Sequence, residues 1–297
     1  MKVICISGFL GAGKTTFIEN MLEVLSGDVN SVVLENEYAN TDIDEKQLEK
    51  KAKVYQLAEG CICCSKRTGF AETVMTIANT VNPDLLIVEP TGVGRLSQVL
   101  ENIGKVEYFR IVQLEALTVV DPVAMDYYLT QYGPLFEDQI ANSGTVYLAV
   151  RKGTDPAVIE EAKEKIKAIN KDAAIVEKPL EHLSREFFME LLKKKRKKGV
   201  IEVAGNHGLI DSYGIDNVYF SHGSVLNMKM RAVMEGRFGK VLRVKGTVNL
   251  QGSICKIDVA GMQLTVDEIA DRGRDATMVI IGEHLDKESL QLLFKSN

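Results

Sequence analysis

Gly8-Phe9-Leu10-Gly11-Ala12-Gly13-Lys14-Thr15-Thr16 decides the fold class of this 297-residue chain. The stretch follows an apolar, β-branched run at residues 3–7 and opens a helical pattern over 15–25. In that setting Gly8-x4-Gly13-Lys14-Thr15 is a phosphate-binding loop rather than an ordinary glycine turn. The glycines let the N–H groups of residues 11–16 converge on a β-phosphate at a helix N-terminus. Lys14 neutralises the β and γ oxygens, and the Thr15 hydroxyl ligates Mg²⁺. Gly11, Ala12, Gly13, Lys14, Thr15 and Thr16 are therefore the candidate nucleotide contacts, with Lys14 and Thr15 also candidate catalytic residues.

Working outward, β-branched runs at 31–35, 85–89, 117–121 and 146–150 alternate with helical spacing over 69–81, 121–140 and 156–169. Asp155 is a natural N-cap for the last of these, with Pro156 at its first position. Such alternation predicts an α/β class P-loop NTPase domain, its mainly parallel sheet of six or so strands covered by helices on both faces. A helix is expected over 185–198, ending in the basic run Lys193-Lys194-Lys195-Arg196-Lys197-Lys198, where cations complement the helix dipole. That run closes a first domain, 1–199. Beyond it, helical spacing at 227–235 and 287–295 surrounds strand patterns at 240–250, 254–259 and 278–281, the texture of a smaller α+β domain, 200–297.

The apolar strand 85–89 ends in an acid and a turn, Glu89-Pro90-Thr91-Gly92. Glu89 is thus a candidate for the Mg²⁺ and γ-phosphate neighbourhood, and Gly92 for a backbone N–H to the γ-phosphate. Net charge is −5 with 26% charged residues, which removes the basic footprint that nucleic acid or anionic membrane would need. No run approaches the ~18 apolar residues of a membrane span. The expectation is a cytoplasmic protein whose partners are a nucleotide, a metal ion and other proteins.

Three of the five cysteines fall in Cys61-Ile62-Cys63-Cys64. An odd total with this clustering suits reduced thiols better than a disulfide framework. Two or three of these thiolates can hold a Zn²⁺-like ion and leave a coordination position open for transfer. Lys66 and Arg67 beside them favour the ionised form. A redox pair of Cys61 and Cys64 is the competing reading of the spacing. Cys5 and Cys255 lie in strand-like apolar runs and belong to the core. Of the four scattered histidines only His222, in a Ser-His-Gly loop, merits a test as a ligand.

These motifs together resemble the CobW-type P-loop GTPases, relatives of the UreG and HypB nickel chaperones. The likeness rests on 8–16, Asn36-Glu37 with Asp42-Ile43-Asp44, Glu59-Gly60-Cys61-Ile62-Cys63-Cys64, Glu89-Pro90-Thr91-Gly92 and Thr118-Val119-Val120-Asp121. Gln139-Ile140, Leu242-Arg243-Val244-Lys245-Gly246 and Arg272-Gly273-Arg274-Asp275 support it. The resemblance implies that Thr15 binds Mg²⁺, that Glu89 and Gly92 sense the γ-phosphate, and that Glu37 lies near Mg²⁺ or the transition metal. It implies a metallochaperone or metal insertase that uses GTP, or else ATP, to deliver Zn²⁺ or Co²⁺ to a client metalloprotein or corrinoid pathway. A nucleotide-dependent homodimer is compatible with it. The alternative is a regulatory or adaptor GTPase or ATPase whose cysteines are structural. The pattern departs from the family in one place. The guanine-reading Asn-Lys-x-Asp is replaced by Ala149-Val150-Arg151-Lys152-Gly153-Thr154-Asp155, where Asp155 could supply the carboxylate and Lys152 could stack on the base. Asn170-Lys171-Asp172 imitates the motif without its spacing.

Overall fold

The computed structural model describes residues 1–35, 52–56, 67–108, 110–197, 199–204, 210–260, 263–269 and 276–295. The chain divides into two compact units, the first holding the described residues up to 204 and the second those from 210 onward. Among the described residues no helix is long and apolar enough to cross a membrane.

In the first unit, eight described strands form one sheet. They are β1 (Lys2–Gly8), β2 (Ser31–Glu35), β3 (Lys53–Gln56), β4 (Leu85–Glu89), β5 (Val112–Gln113), β6 (Ala116–Val120), β7 (Ser143–Leu148) and β8 (Ala174–Val176). The order is β3-β2-β4-β1-β6-β7-β8, with β5 beside the start of β1, and every pairing among these strands is parallel. Parallel strands place all their C-terminal ends on one edge, where an α/β sheet binds its ligands.

Alternation along each strand feeds two cores. Ile4, Ile6, Val33, Leu85 and Ile87 face α1 (Lys14–Val24), whose Phe17, Ile18, Met21 and Leu22 are buried against them. Val3, Cys5, Val32, Leu34, Leu86 and Val88 face α2 (Arg67–Thr80) and α3 (Leu96–Gly104). Cys5 is 1% exposed, and burial pushes its thiol well above the usual range. Both expected core cysteines are indeed buried. The other described α-helices of this unit are α4 (Met125–Ala141), α5 (Pro156–Ile169) and α6 (Arg185–Leu191).

Two sequence expectations change. The helix expected over 185–198 stops at Leu191, so the basic run is not a helix end. Its backbone instead joins the sheet rim: Glu115 N donates to Lys194 O and Arg196 N to Gln113 O, at 2.8 and 3.0 Å. Arg196 then reaches Asn142 O and Gly199 O. Satisfying buried backbone groups outweighs continuing a surface helix. The chain also stays with the first unit past residue 199, because Asn142 and Ile201 exchange two hydrogen bonds of 2.8 and 2.9 Å.

The second unit is a mainly antiparallel sheet, β13-β12-β11-β14-β9, with β10 beside β11. Its strands are β9 (Ile210–Asp216), β10 (Tyr219–Phe220), β11 (Lys240–Leu250), β12 (Ser253–Ala260), β13 (Gln263–Glu268) and β14 (Thr277–Glu283). Helices α7 (Gly223–Met234) and α8 (Lys287–Lys295) pack Leu226, Met230, Val233, Leu290 and Phe294 against Val244, Val248, Ile257 and Ile280 of this sheet.

Candidate functional site

The phosphate loop leaves the C-terminal end of β1 in the middle of the sheet and turns into α1. Gly13 is the N-cap of α1 with φ 96°, a left-handed conformation that a side chain resists. The helix starts with Phe17 N donating to Gly13 O at 3.0 Å. Gly11 and Gly13 are exposed while Lys14 is 9% exposed, its ammonium lying back over the loop 3.4 Å from Phe9 O. The loop thus offers open backbone to an anion and keeps a cation folded against it.

Beside the loop, Thr15 Oγ1 donates to Glu89 Oε1 at 3.0 Å. Glu35, at the end of β2, is the direct register partner of Glu89. Since Val33, Leu85 and Ile87 all pack on the α1 side, alternation brings both carboxylates to the α1 side. Glu35 is 6% exposed. A hydroxyl and two carboxylates together form an all-oxygen donor set of the kind Mg²⁺ takes. Sequence reasoning missed Glu35, reading it only as a strand end; register with Glu89 is what singles it out.

Gly92 is packed onto the loop itself. A Cβ there would lie 2.7 Å from Leu10 N and 3.0 Å from Leu10 Cα, so any side chain would displace backbone. The expected neighbours Glu89, Thr15, Lys14 and Gly92 therefore do converge on one edge of the sheet.

Helix α4 braces this arrangement at two points; Gln139-Ile140 belongs to the motifs quoted above, but neither brace's contacts show in the sequence. Near its start, Tyr128 Oη donates to Leu10 O at 2.9 Å, and Phe9 sits among Tyr128, Tyr132 and Phe136 with ring centroids 4.4, 5.1 and 5.8 Å away. The helix is kinked at Tyr132, with Pro134 just beyond; proline removes a backbone donor inside a helix. Near its end, fully buried Gln139 donates from Nε2 to both Gly92 O and Gly94 O at 3.1 Å. Asp138 Oδ2 accepts from Ser97 N at 3.1 Å, capping α3 from another helix. Burial holds the Asp138 carboxyl above the usual carboxylate range, opposed by its bonds to Ser97 and by Arg95. Tyr128→Phe keeps the ring contacts and removes only the donor to Leu10. It is expected to weaken nucleotide binding by about 3- to 10-fold, the worth of one hydrogen bond, with little change in melting temperature; titration with a fluorescent nucleotide checks this.

The base-side loop is closed on itself. Asp155, one of the residues expected to serve guanine, caps α5 by accepting from Ala157 N at 2.9 Å. Its predicted N-cap role holds, and one carboxylate oxygen is engaged there. Arg151 pairs with Asp121 at 3.0 Å, and Thr154 Oγ1 donates to Arg151 O at 2.8 Å. Asn170 is a structural residue: its amide donates to Ile140 O, Ala141 O and Ser143 O. His222 precedes α7, and its Nδ1 lies 2.8 Å from Gln251 Nε2. An amide donor there makes Nδ1 the acceptor. Glu37, Cys61, Cys63 and Cys64 lie outside the described residues, among which no cluster of three or more His, Cys, Asp or Glu could hold a metal ion.

Comparison with known proteins agrees with this geometry. Residues 2–177 match the family model described as the CobW/HypB/UreG nucleotide-binding domain, and residues 216–296 match the cobalamin synthesis protein cobW C-terminal domain. Among curated relatives, the zinc chaperone YjiA of Escherichia coli strain K12 is 24% identical, covering 99% of this chain and 98% of its own. The zinc chaperone CobW of Pseudomonas aeruginosa is also 24% identical, over 98% of this chain and 89% of its own. The crystal structure of Zn(II)-bound YjiA GTPase from E. coli shares the fold, with TM-score 0.50 and 18% identity over 99% of this chain and 98% of that one. With both its units matched, a phosphate loop backed by Glu89 and a turn seated on Leu10, the chain belongs to the CobW/HypB/UreG family and is a GTP-hydrolysing P-loop enzyme.

Proposed function

We propose that this enzyme is a metallochaperone in which GTP binding and hydrolysis govern capture and release of a transition metal, Zn²⁺ first, at Cys61, Cys63 and Cys64. Glu37 is the oxygen donor we place with them, and a client metalloprotein receives the ion. The zinc assignment follows the relatives named zinc chaperones. Co²⁺ is the competing cargo.

One observation carries the link between thiols and nucleotide. β3 ends at Gln56, on the same edge of the parallel sheet as the phosphate loop, and α2 begins at Arg67. In the sequence Cys61, Cys63 and Cys64 fall between these two elements. β3 pairs with β2, whose Glu35 pairs with Glu89. A change at the γ-phosphate has a short route to that segment through two adjacent strand ends.

In this mechanism the N–H groups of Gly11, Ala12, Gly13, Lys14, Thr15 and Thr16 hold the phosphates, and Lys14 neutralises them. Thr15, Glu89 and Glu35 would hold Mg²⁺, which when bound supplies charge neutralisation at the β and γ oxygens. Gly92 presents its N–H to the γ-phosphate. Catalysis is positioning and electrostatics, and no covalent intermediate is required.

The test measures Zn²⁺ and Co²⁺ affinity with GTPγS, GDP or no nucleotide, together with metal-stimulated hydrolysis. Metal affinity should differ at least tenfold between nucleotide states, and Cys61→Ser, Cys63→Ser and Cys64→Ser should each remove the stimulation. Equal affinity in all three states would refute the coupling. Unchanged stimulation in the serine variants would leave a regulatory GTPase with structural cysteines.

A further inference from the structure

We infer that Gln139 is a positioning residue for GTP hydrolysis: it sets the turn of residues 91–94 in the geometry that recognises a γ-phosphate. The inference rests on the reading of Gly92 as the γ-phosphate contact and names the residue that makes that contact specific.

The turn has few constraints of its own. Gly94 N donates to Thr91 O at 2.9 Å, and glycine at 92 and 94 gives the backbone wide freedom. A loop of that kind can present its N–H in many directions unless something outside holds it. Gln139 does so with both hydrogens of one amide, donating to Gly92 O and Gly94 O at 3.1 Å each. Those two carbonyls belong to the 92–93 and 94–95 peptide units, one on each side of the Val93–Gly94 peptide, so the clamp fixes the orientation of the turn as well as its position.

Gln139 is itself held. It is fully buried, and its backbone oxygen accepts from Thr118 Oγ1 and Ser143 Oγ at 2.9 and 2.6 Å. The clamp is thus anchored to β6 and β7, the same sheet that carries the phosphate loop. Its neighbour Asp138 fixes the far side of the turn at Ser97 N.

This polar cluster has unused capacity. Ser7 Oγ, Thr91 Oγ1, Asp138 Oδ1 and Gln139 Oε1 are buried without a hydrogen-bond partner among the described residues. Buried polar atoms in native proteins are nearly always bonded, and an exception calls for an explanation. Thr91 is inside the turn and Gln139 is its clamp. Ser7 is the register partner of Thr118, which bonds Gln139. An interior with two spare acceptor oxygens and two hydroxyls at these positions can satisfy a second arrangement of the turn, which is what a two-state element requires. Gln139 is the residue whose donors decide between the two.

Gln139→Met, of similar bulk but without donors, separates this role from packing. Affinities for GTPγS and GDP are measured by fluorescence titration on the full chain, with melting temperature alongside. GTPγS binding is expected to weaken about tenfold while GDP binding stays within twofold. Equal weakening of both nucleotides, or weakening of neither, would overturn the proposal. If Gln139→Met does not fold, Gln139→Glu serves: its carboxylate faces two carbonyls, and the same selective loss of GTPγS is expected, with an equal loss of GDP counting against. Gly92→Ala is the reference. Should it lose GTPγS preference while the Gln139 variants keep theirs, the γ-phosphate contact stands and the Gln139 inference fails. Should Gly92→Ala retain full preference, the reading beneath it fails instead.

Discussion

Gly92→Ala is expected to reduce GTP hydrolysis by about 10²- to 10³-fold, the usual cost of losing one transition-state hydrogen-bond donor in an active site. The added methyl would stand 2.7 Å from Leu10 N, 2.7 Å from Leu10 Cδ2 and 3.0 Å from Leu10 Cα. A leucine side chain can rotate away, but the backbone of the phosphate loop cannot move without shifting the peptide groups that face the nucleotide. Tyr128 also pins Leu10 O from the opposite helix, so the turn rather than the loop must give way. The Gly92 N–H is then displaced from the γ-phosphate. Alanine at Gly11 or Gly13 makes the contrast: each has open space around its Cβ but a positive φ, 73° and 96°, so the cost there is backbone strain of about 1–2 kcal/mol. Single-turnover hydrolysis and GDP affinity, measured together, check the prediction. Hydrolysis within threefold of the parent would show that the close packing of Gly92 on Leu10 has no part in catalysis.

Much of the fold is legible because local chemistry and tertiary packing agree. The α5 helix runs over the expected 156–169 because Asp155 caps it and Pro156 opens it, and β11 covers the expected 240–250, its apolar residues buried on both sides of a register shift between Val241 and Arg243. What could not be read depends on partners distant in sequence. The α3 helix starts after Arg95, a residue with no capping side chain; its cap is Asp138, which accepts from Ser97 N 41 positions earlier. The sheet has eight described strands rather than six or so, because β3, β5 and β8 are only four, two and three residues long. Runs that short carry no period for a sequence to display. The end of α6 falls short of the expected 198 although lysines are good helix formers, because sheet-rim hydrogen bonds at Lys194 and Arg196 decide the conformation there.

The candidate site divides the same way. Gly11 to Thr16, Glu89 and Gly92 announce themselves by motif, since each performs its part through a fixed offset along the chain. Glu35, Tyr128, Asp138 and Gln139 perform theirs through register and packing. Nothing about a glutamine late in an amphipathic helix says that two glycine carbonyls await it 45 and 47 residues earlier in the chain. The proposed phosphate contacts are therefore sequence-coded, while the parts that hold them in place are coded by topology.

Glu89→Gln is the second large effect, with hydrolysis expected to fall about 10²-fold, within the range for removing one charged member of a phosphoryl-transfer site. Glutamine keeps an oxygen for the Thr15 hydroxyl, now 3.0 Å from Glu89 Oε1, so the loop retains its shape. Only the charge is lost. If Glu89 and Glu35 share one divalent cation, the Mg²⁺ concentration for half-maximal hydrolysis should rise at least tenfold in Glu89→Gln and by a smaller factor in Glu35→Gln. The two should also fail to add, because residues acting on one ion are coupled. The double variant should then be little worse than Glu89→Gln alone. A Mg²⁺ requirement unchanged in Glu89→Gln would remove this carboxylate from the cation site and leave it as the structural partner of Thr15. Full additivity would separate Glu35 from Glu89 despite their register, and assign the buried Glu35 to packing at the end of β2.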